Sequence, residues 1–437
     1  MNIKFKLVVF LGIVVIFLFV LFSVEKKPEK EHFLNREMQK YDQNLQVSDK
    51  DFRKDDINCP DLDDVIEDLG IYQPLLKDVE RCYLKYAKRN KIPDKFYAII
   101  LPSGIYGRDD QIPVRYFENL EKYRKKFGFY NISPGLSDAV APPYVYDNSQ
   151  DLLKPPYIIT PEYFERKMSA YIIMYLKEKI KYGHSFIFTT MYPPTEWSGA
   201  YQKISSKDDF KEWITNEYLK EVRERAKLAE KWGFEFYNPL PLELERLLSP
   251  FNTELKFLSK MSNSEIESLG QWTIDVIAET ARKYFTGRLI LPRYPFYGIL
   301  PSLEPSPEPL WENLDMDKYD LISFSLIPEC NVSKTREFAK KQLAYYEKLS
   351  QKESKVWGLG EVDIMADLYK KCGNNIDDIE PELWNSIIEI IEALPSKPSF
   401  VFFGFRIDPM NPQNPIYLDT KAFDSVLEYI KNNFNRD

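Results

Sequence analysis

The chain has 437 residues with 44% hydrophobic and 29% charged side chains, the balance of a globular protein able to bury a large core rather than of a disordered one. Its formal net charge of -8 speaks against a nucleic-acid partner, because neutralising phosphates needs a clustered excess of Lys and Arg. Aromatic residues make up 15%, which suits sugar stacking, although the packing of a large core explains them equally well.

In chain order, residues 1–6 are a short tail carrying Lys4 and Lys6, and residues 7–24 are an uncharged run of Leu, Val, Phe, Ile and small residues. Those 18 residues reach about 27 Å as a helix, close to the hydrocarbon thickness of a bilayer, so membrane lipid is an expected partner. Phe22-Ser23-Val24-Glu25 lacks the small-x-small pattern of a cleavage site, which favours an uncleaved transmembrane signal anchor. Lysines flank both sides: Lys4 and Lys6 precede the run, and Lys26, Lys27 and Lys30 follow it. The expected placement is a single-pass cell-membrane protein with the bulk of the chain outside the cytoplasm, because a short tail before a large domain commonly translocates that domain. Residues 25–50 are charged and read as a flexible stalk. Residues 51–94 form a helical prelude: Leu62, Val65, Ile66 and Leu69, then Leu75, Leu76, Val79, Cys82 and Tyr83, recur at helical spacing.

From residue 95 to 437 short apolar runs alternate with amphipathic stretches. The spacing predicts strands at 96–101, 129–132, 185–191, 234–237, 288–291, 319–326, 356–360 and 399–405. Helices are predicted between and after them at 114–127, 160–181, 210–232, 264–285, 335–349, 381–394 and 419–434. Eight strands separated by helices over about 340 residues predict an α/β fold, a (β/α)8 TIM barrel with long loops, rather than an open doubly wound sheet. No Gly-rich phosphate loop follows the first strand.

Such a barrel carries its chemistry at the carboxyl ends of the strands. In the segment KVWGLGEVDIM the seventh predicted strand ends on Glu361, and after the fourth strand, FYNPLPLELE, stands Glu243. Two carboxylates are what acetal cleavage requires, one to protonate the leaving oxygen and one to meet the oxocarbenium-like centre. Glu243 also has a purely structural explanation, since after Pro241 it would sit in the first turn of a helix and favour the macrodipole. Strand-end residues that can line a sugar groove are Tyr192, Glu196, Trp197, Asn238, Arg293, Tyr294 and Arg406, with Asp408 beside the last. Trp197 and Trp357 can supply apolar walls that raise an acid's pKa. With only His32 and His184, and no metal-ligand spacing among the cysteines, no cofactor or metal is expected.

The segment TPEYFERKMSAYIIMYLKEKIKYGHSFIFTTMYPP, leading into the third strand, and GLGEVD at the seventh resemble the 4/7 superfamily of glycosidases, clan A of the glycoside hydrolases. That resemblance covers most of 95–433. It implies retaining cleavage of a carbohydrate substrate, with Glu243 as acid/base and Glu361 as nucleophile. Two departures stand out: Asp363 occupies a position where the family commonly has Gly, and Glu243 is preceded by Leu242 where the family commonly has Asn. The nearest Asn is Asn238, and Glu245 is a second candidate for the acid/base.

Three readings follow: an extracytoplasmic glycoside hydrolase, a catalytically degenerate barrel that binds glycans or is structural, and a barrel of other chemistry such as metal-assisted hydrolysis, which the histidine shortage disfavours. Cys59, Cys82, Cys330 and Cys372 are an even set, and in a barrel Cys330 and Cys372 fall in adjacent loops where a disulfide is plausible; four buried thiols are the alternative. Asn131-Ile132-Ser133 and Asn331-Val332-Ser333 match the N-glycosylation acceptor pattern.

Overall fold

The structure, a computed structural model, describes residues 76–89, 98–100, 176, 179, 187–189, 204–240, 244–249, 255–296, 309–326, 331–362, 376–404, 428, 429 and 432. In 76, 78, 98–100, 187–189, 246, 361, 362, 376–378, 380 and 400–404 the description is of the backbone alone. The chain divides into two compact units, 1–55 and 56–437, and every described residue belongs to the second. The predicted anchor at 7–24, the stalk and the second predicted strand at 129–132 lie outside the described residues. Among the described residues no helix is long and apolar enough to cross a membrane.

The fold is α/β. Among the described residues seven strands, β1 (Ala98–Ile100), β2 (Ile187–Thr189), β3 (Phe236–Asn238), β4 (Arg288–Arg293), β5 (Leu321–Leu326), β6 (Val356–Val362) and β7 (Phe400–Gly404), make one sheet. All six pairings are parallel, in the order β1-β7-β6-β5-β4-β3-β2. From β2 to β7 each strand lies beside its chain neighbour, and β1 lies beside β7. A doubly wound sheet reverses direction midway; this one does not.

The described helices are α1 (Leu76–Tyr83), α2 (Lys207–Trp213) running through a π turn (Ile214–Tyr218) into α3 (Leu219–Lys231), α4 (Leu244–Leu247), α5 (Asn263–Arg282), α6 (Val332–Glu353) and α7 (Ile376–Ala393). Phe210, Ile214, Tyr218, Val222, Ala226 and Ala229 recur every three or four residues along α2 and α3, and all are buried. These side chains meet Tyr237, Leu289, Ile322 and Phe324 from the strands, and Ile274, Leu343 and Ile387 from other helices, in one apolar cluster. The α7 helix begins five residues before the predicted 381, so Pro381 lies inside it. Ile376, Asp377 and Asp378 open the helix instead, and the proline removes one early backbone hydrogen bond.

Helix α3 ends on Gly233, whose φ is +67°. Gly233 N–H donates to Glu230 O at 3.1 Å and Phe234 N–H to Ala229 O at 2.9 Å, which satisfies the last carbonyls of the helix. A Cβ at Gly233 would lie 2.4 Å from Ala87 O, so the left-handed turn also makes room for the segment after α1. Gly233→Ala is therefore expected to cost roughly 2–4 kcal/mol, strain and backbone clash together, as read by urea denaturation. A loss under about 1 kcal/mol would show that neither constraint operates.

The amino ends of the strands are tied by charge. Lys179 donates to the Glu235 carboxylate and, at 3.1 Å, to Gly233 O, with both side chains buried. Burial pulls the Lys179 ammonium below its ordinary pKa, with the Glu235 carboxylate working against that shift. Arg89 donates to Phe234 O at 2.8 Å and to Thr286 Oγ1 at 2.7 Å, and pairs with Glu230.

Helix α5 opens with a capping box between Ser262 and Glu265. The Ser262 hydroxyl, then its backbone N–H, hold the Glu265 carboxyl below the usual carboxylate range. A depressed carboxyl stabilises the fold above its unfolded value of about 4.3, and the effect is lost as pH falls through the lower folded value. Amide exchange in the first turn of α5 is expected to quicken across that window, and the quickening should be absent in Glu265→Gln.

Candidate functional site

Register decides which strand positions share a face. Ile322 stands opposite Trp357 and Phe324 opposite Leu359, and these four belong to the cluster shared with the helices. There the Phe324 ring stacks on Tyr346 of α6 at 4.1 Å. Side chains alternate along a strand, so Ser323, Ser325 and Gly358 lie on the other face, with Pro292 across from Ser323. Phe236, Ile290 and Leu321 also lie on that face and are buried, yet they stand outside the helix-facing cluster. Toward the amino ends of the strands this second face carries Phe236, Ile290 and Leu321, with Arg288 opposite Phe236, and toward the carboxyl ends it carries Pro292, Ser323 and Ser325.

A bulge in β6 sets the position of Glu361. Phe324 pairs with Leu359, but the next residue, Ser325, pairs with Glu361, which leaves Gly360 as the extra residue. In a regular ladder Gly360 would stand opposite Ser325, and position 361 would belong to the helix side. The strand also runs on to Val362, two residues past the predicted stop at 360, so Glu361 is its penultimate residue.

Gly360 is needed where it stands. A Cβ there would lie 1.5 Å from Ser323 Oγ and 2.9 Å from Ser323 Cβ. Gly360→Ala should cost about 1–3 kcal/mol by overpacking, and adding Ser323→Gly should recover most of it. Additive losses in that double-mutant cycle would mean that the serine is not what excludes a side chain.

Asn238 ends β3 half-buried, and its Oδ1 accepts the Leu240 N–H at 3.1 Å. Arg293 ends β4 fully buried. Its Nε pairs with Glu245 of α4, Nη1 approaches Met316 Sδ at 3.3 Å, and Nη2 donates to Trp311 O at 3.4 Å. The other Glu245 oxygen accepts the Tyr294 N–H at 2.8 Å, and Glu245 too is fully buried. These three residues form a clasp between the segment after β3 and the end of β4. Arg293 faces the protein's own groups rather than an open groove, and both oxygens of Glu245 are engaged, which does not suit a proton donor to a substrate.

Trp357 is the second residue of β6, buried, with its ring edge-on to Phe324 at 6.2 Å. Glu361 stands four positions further along the strand, with three residues between them, a backbone distance of roughly 13 Å. It packs in the cluster shared with the helices rather than on the face that carries Ser323 and Ser325. Its Nε1 finds no hydrogen-bond partner among the described residues.

Glu243, Tyr192, Glu196, Trp197, Arg406, Asp408, His184, Cys330 and Cys372 lie outside the described residues. Cys82 of α1 is disulfide-bonded, so the alternative of four free thiols does not hold for it. One carboxylate cluster with metal-ligand spacing occurs among the described residues, Asp315, Asp317 and Glu353. It lies at the amino side of β5 and β6, where Lys355 and Lys352 pair with two of its members.

The serines of the polar face are legible in ISFSL, where Ile322, Phe324 and Leu326 alternate with Ser323 and Ser325, the period of a strand with two unlike faces. The clasp has no such local signal.

No family model matches the chain, and no curated protein matches it. Among solved structures it is similar to a GH113 β-1,4-mannanase at 11% identity and a TM-score of 0.47, over 78% of this chain and 99% of that one. It is also similar to GH26C from a Muricauda species, at 12% identity and a TM-score of 0.48, over 86% of this chain and 95% of the other. A third similarity is to a GH5-4 broad-specificity endoglucanase from an uncultured bacterium, at 10% identity and a TM-score of 0.48, over 79% and 95% of the two chains.

Proposed function

We propose that residues 95–437 close into a (β/α)8 barrel and that the protein is a membrane-anchored, extracytoplasmic glycoside hydrolase of retaining type. Glu361 is the nucleophile and Glu243 the acid/base. The observation that carries the reading is the bulge at Gly360, which sets Glu361 opposite Ser325 at the carboxyl end of a parallel strand.

Closure is supported by strand order: β1 lies beside β7, and the one predicted strand outside the described residues, 129–132, falls in sequence between β1 and β2. Burial of Phe236, Ile290 and Leu321 on the face away from the helices suits a sheet curled on itself. Glu245 being engaged favours Glu243, two residues earlier in the chain, for the proton donor. In this mechanism Glu361 attacks the anomeric carbon while Glu243 protonates the leaving oxygen, and water then releases the sugar with Glu243 as base. The carboxyls should stand about 5–5.5 Å apart. The disulfide at Cys82 supports an oxidising, extracytoplasmic location, and residues 7–24 would supply the anchor.

A second reading, glycan binding without hydrolysis, is favoured by Asn238. This nearest asparagine to Glu243 spends its carboxamide oxygen on its own backbone. The full-length protein in detergent, given aryl glycosides and polysaccharides, separates the two readings. Release of sugar with retained anomeric configuration supports hydrolysis; glycan binding with no release over the whole panel replaces it by the second.

A further inference from the structure

We infer that Asn331 is an N-glycosylation site, so that a sugar chain stands where β5 hands over to α6, on the carboxyl-end side of the sheet. The inference goes beyond hydrolysis but rests on the extracytoplasmic placement proposed above. Asn331-Val332-Ser333 has the acceptor pattern, and Asn331 and Ser333 are both exposed. Asn331 is the N-cap of α6, and its Oδ1 accepts the Lys334 N–H at 3.0 Å. The cap thus uses the carboxamide oxygen, which glycosylation leaves in place, so helix and glycan are compatible on one residue. A second, independent observation is the disulfide at Cys82, which belongs to the oxidising compartments where this modification occurs.

The co-reactant is an oligosaccharide linked through phosphate to a polyprenyl lipid. Asn331 Nδ2 attacks its anomeric carbon, a C–N bond forms as the C–O bond to phosphate breaks, the phosphate leaves with the electron pair, and the amide gives up one proton.

Full-length protein purified from its own cells is digested without reduction and mapped by mass spectrometry. The peptide containing Asn331 is expected to carry added hexose or N-acetylhexosamine masses. Ser333→Ala, which keeps the capping side chain, should abolish them, and Ser333→Thr should retain them. An unmodified Asn331 peptide in a sample whose Cys82 is disulfide-linked overturns the inference while leaving the placement standing. If Asn331 is unmodified and Cys82 is a free thiol, both fall. Added mass that survives Ser333→Ala also overturns it, since the attachment is then not read through the acceptor pattern.

Discussion

Glu361→Gln should lower glycoside hydrolysis by about 10³-fold or more while leaving the melting temperature close to that of the parent. The amide has the shape of the carboxylate but lacks its charge and its nucleophilic oxygen pair. Loss should therefore fall on kcat, with substrate binding largely kept, because the carboxylate matters most when charge develops at the anomeric carbon. In the backbone register, position 361 stands opposite Ser325, which alternates with the apolar positions of β5. A variant with parental kcat would remove Glu361 as nucleophile. One that loses kcat together with several degrees of stability would show instead that the carboxylate holds the strand end together. A control at the paired register position, Ser325→Ala, should change rates far less, since deleting a hydroxyl removes at most one hydrogen bond.

The strands were legible because a buried parallel strand is written as a short apolar run between turn residues. β7 at Phe400–Gly404 sits inside the predicted 399–405, and β5 at Leu321–Leu326 inside 319–326. Helix starts were less legible: α7 begins at Ile376 because a proline that looks like a first-turn residue was carried inside the helix. At the candidate site, a carboxylate at the end of an apolar run is a local pattern, and Glu361 could be read from it. The bulge beside it could not, since Gly358-Leu359-Gly360 reads as a strand giving out rather than as one gaining a residue. Arg293 reads in the sequence as a strand-end residue lining a groove, because the carboxylate it pairs with stands 48 residues upstream. Pairings at that separation follow from packing, and a single chain of letters carries no trace of them.

Breaking the Arg293–Glu245 clasp from one side should cost about 3–5 kcal/mol, whereas replacing both partners should cost far less. Glu245→Gln keeps an oxygen for the Tyr294 N–H but leaves the Arg293 guanidinium fully buried without a counter-charge. In a domain of about 340 residues that loss corresponds to roughly 4–7 °C in melting temperature. Adding Arg293→Met removes the stranded charge and fills the space with a flexible apolar chain beside Met316, so the double variant should recover most of the deficit. Urea denaturation with an unchanged m value would confirm that stability, not compactness, had moved. The clasp fastens the segment that follows β3, where Glu243 stands two residues before Glu245, to the end of β4. The single variant should therefore also lose hydrolysis beyond what its residual folded fraction explains, and the double variant should regain stability before it regains rate. Equal losses for single and double variants would mean that the ion pair contributes through its packing volume alone.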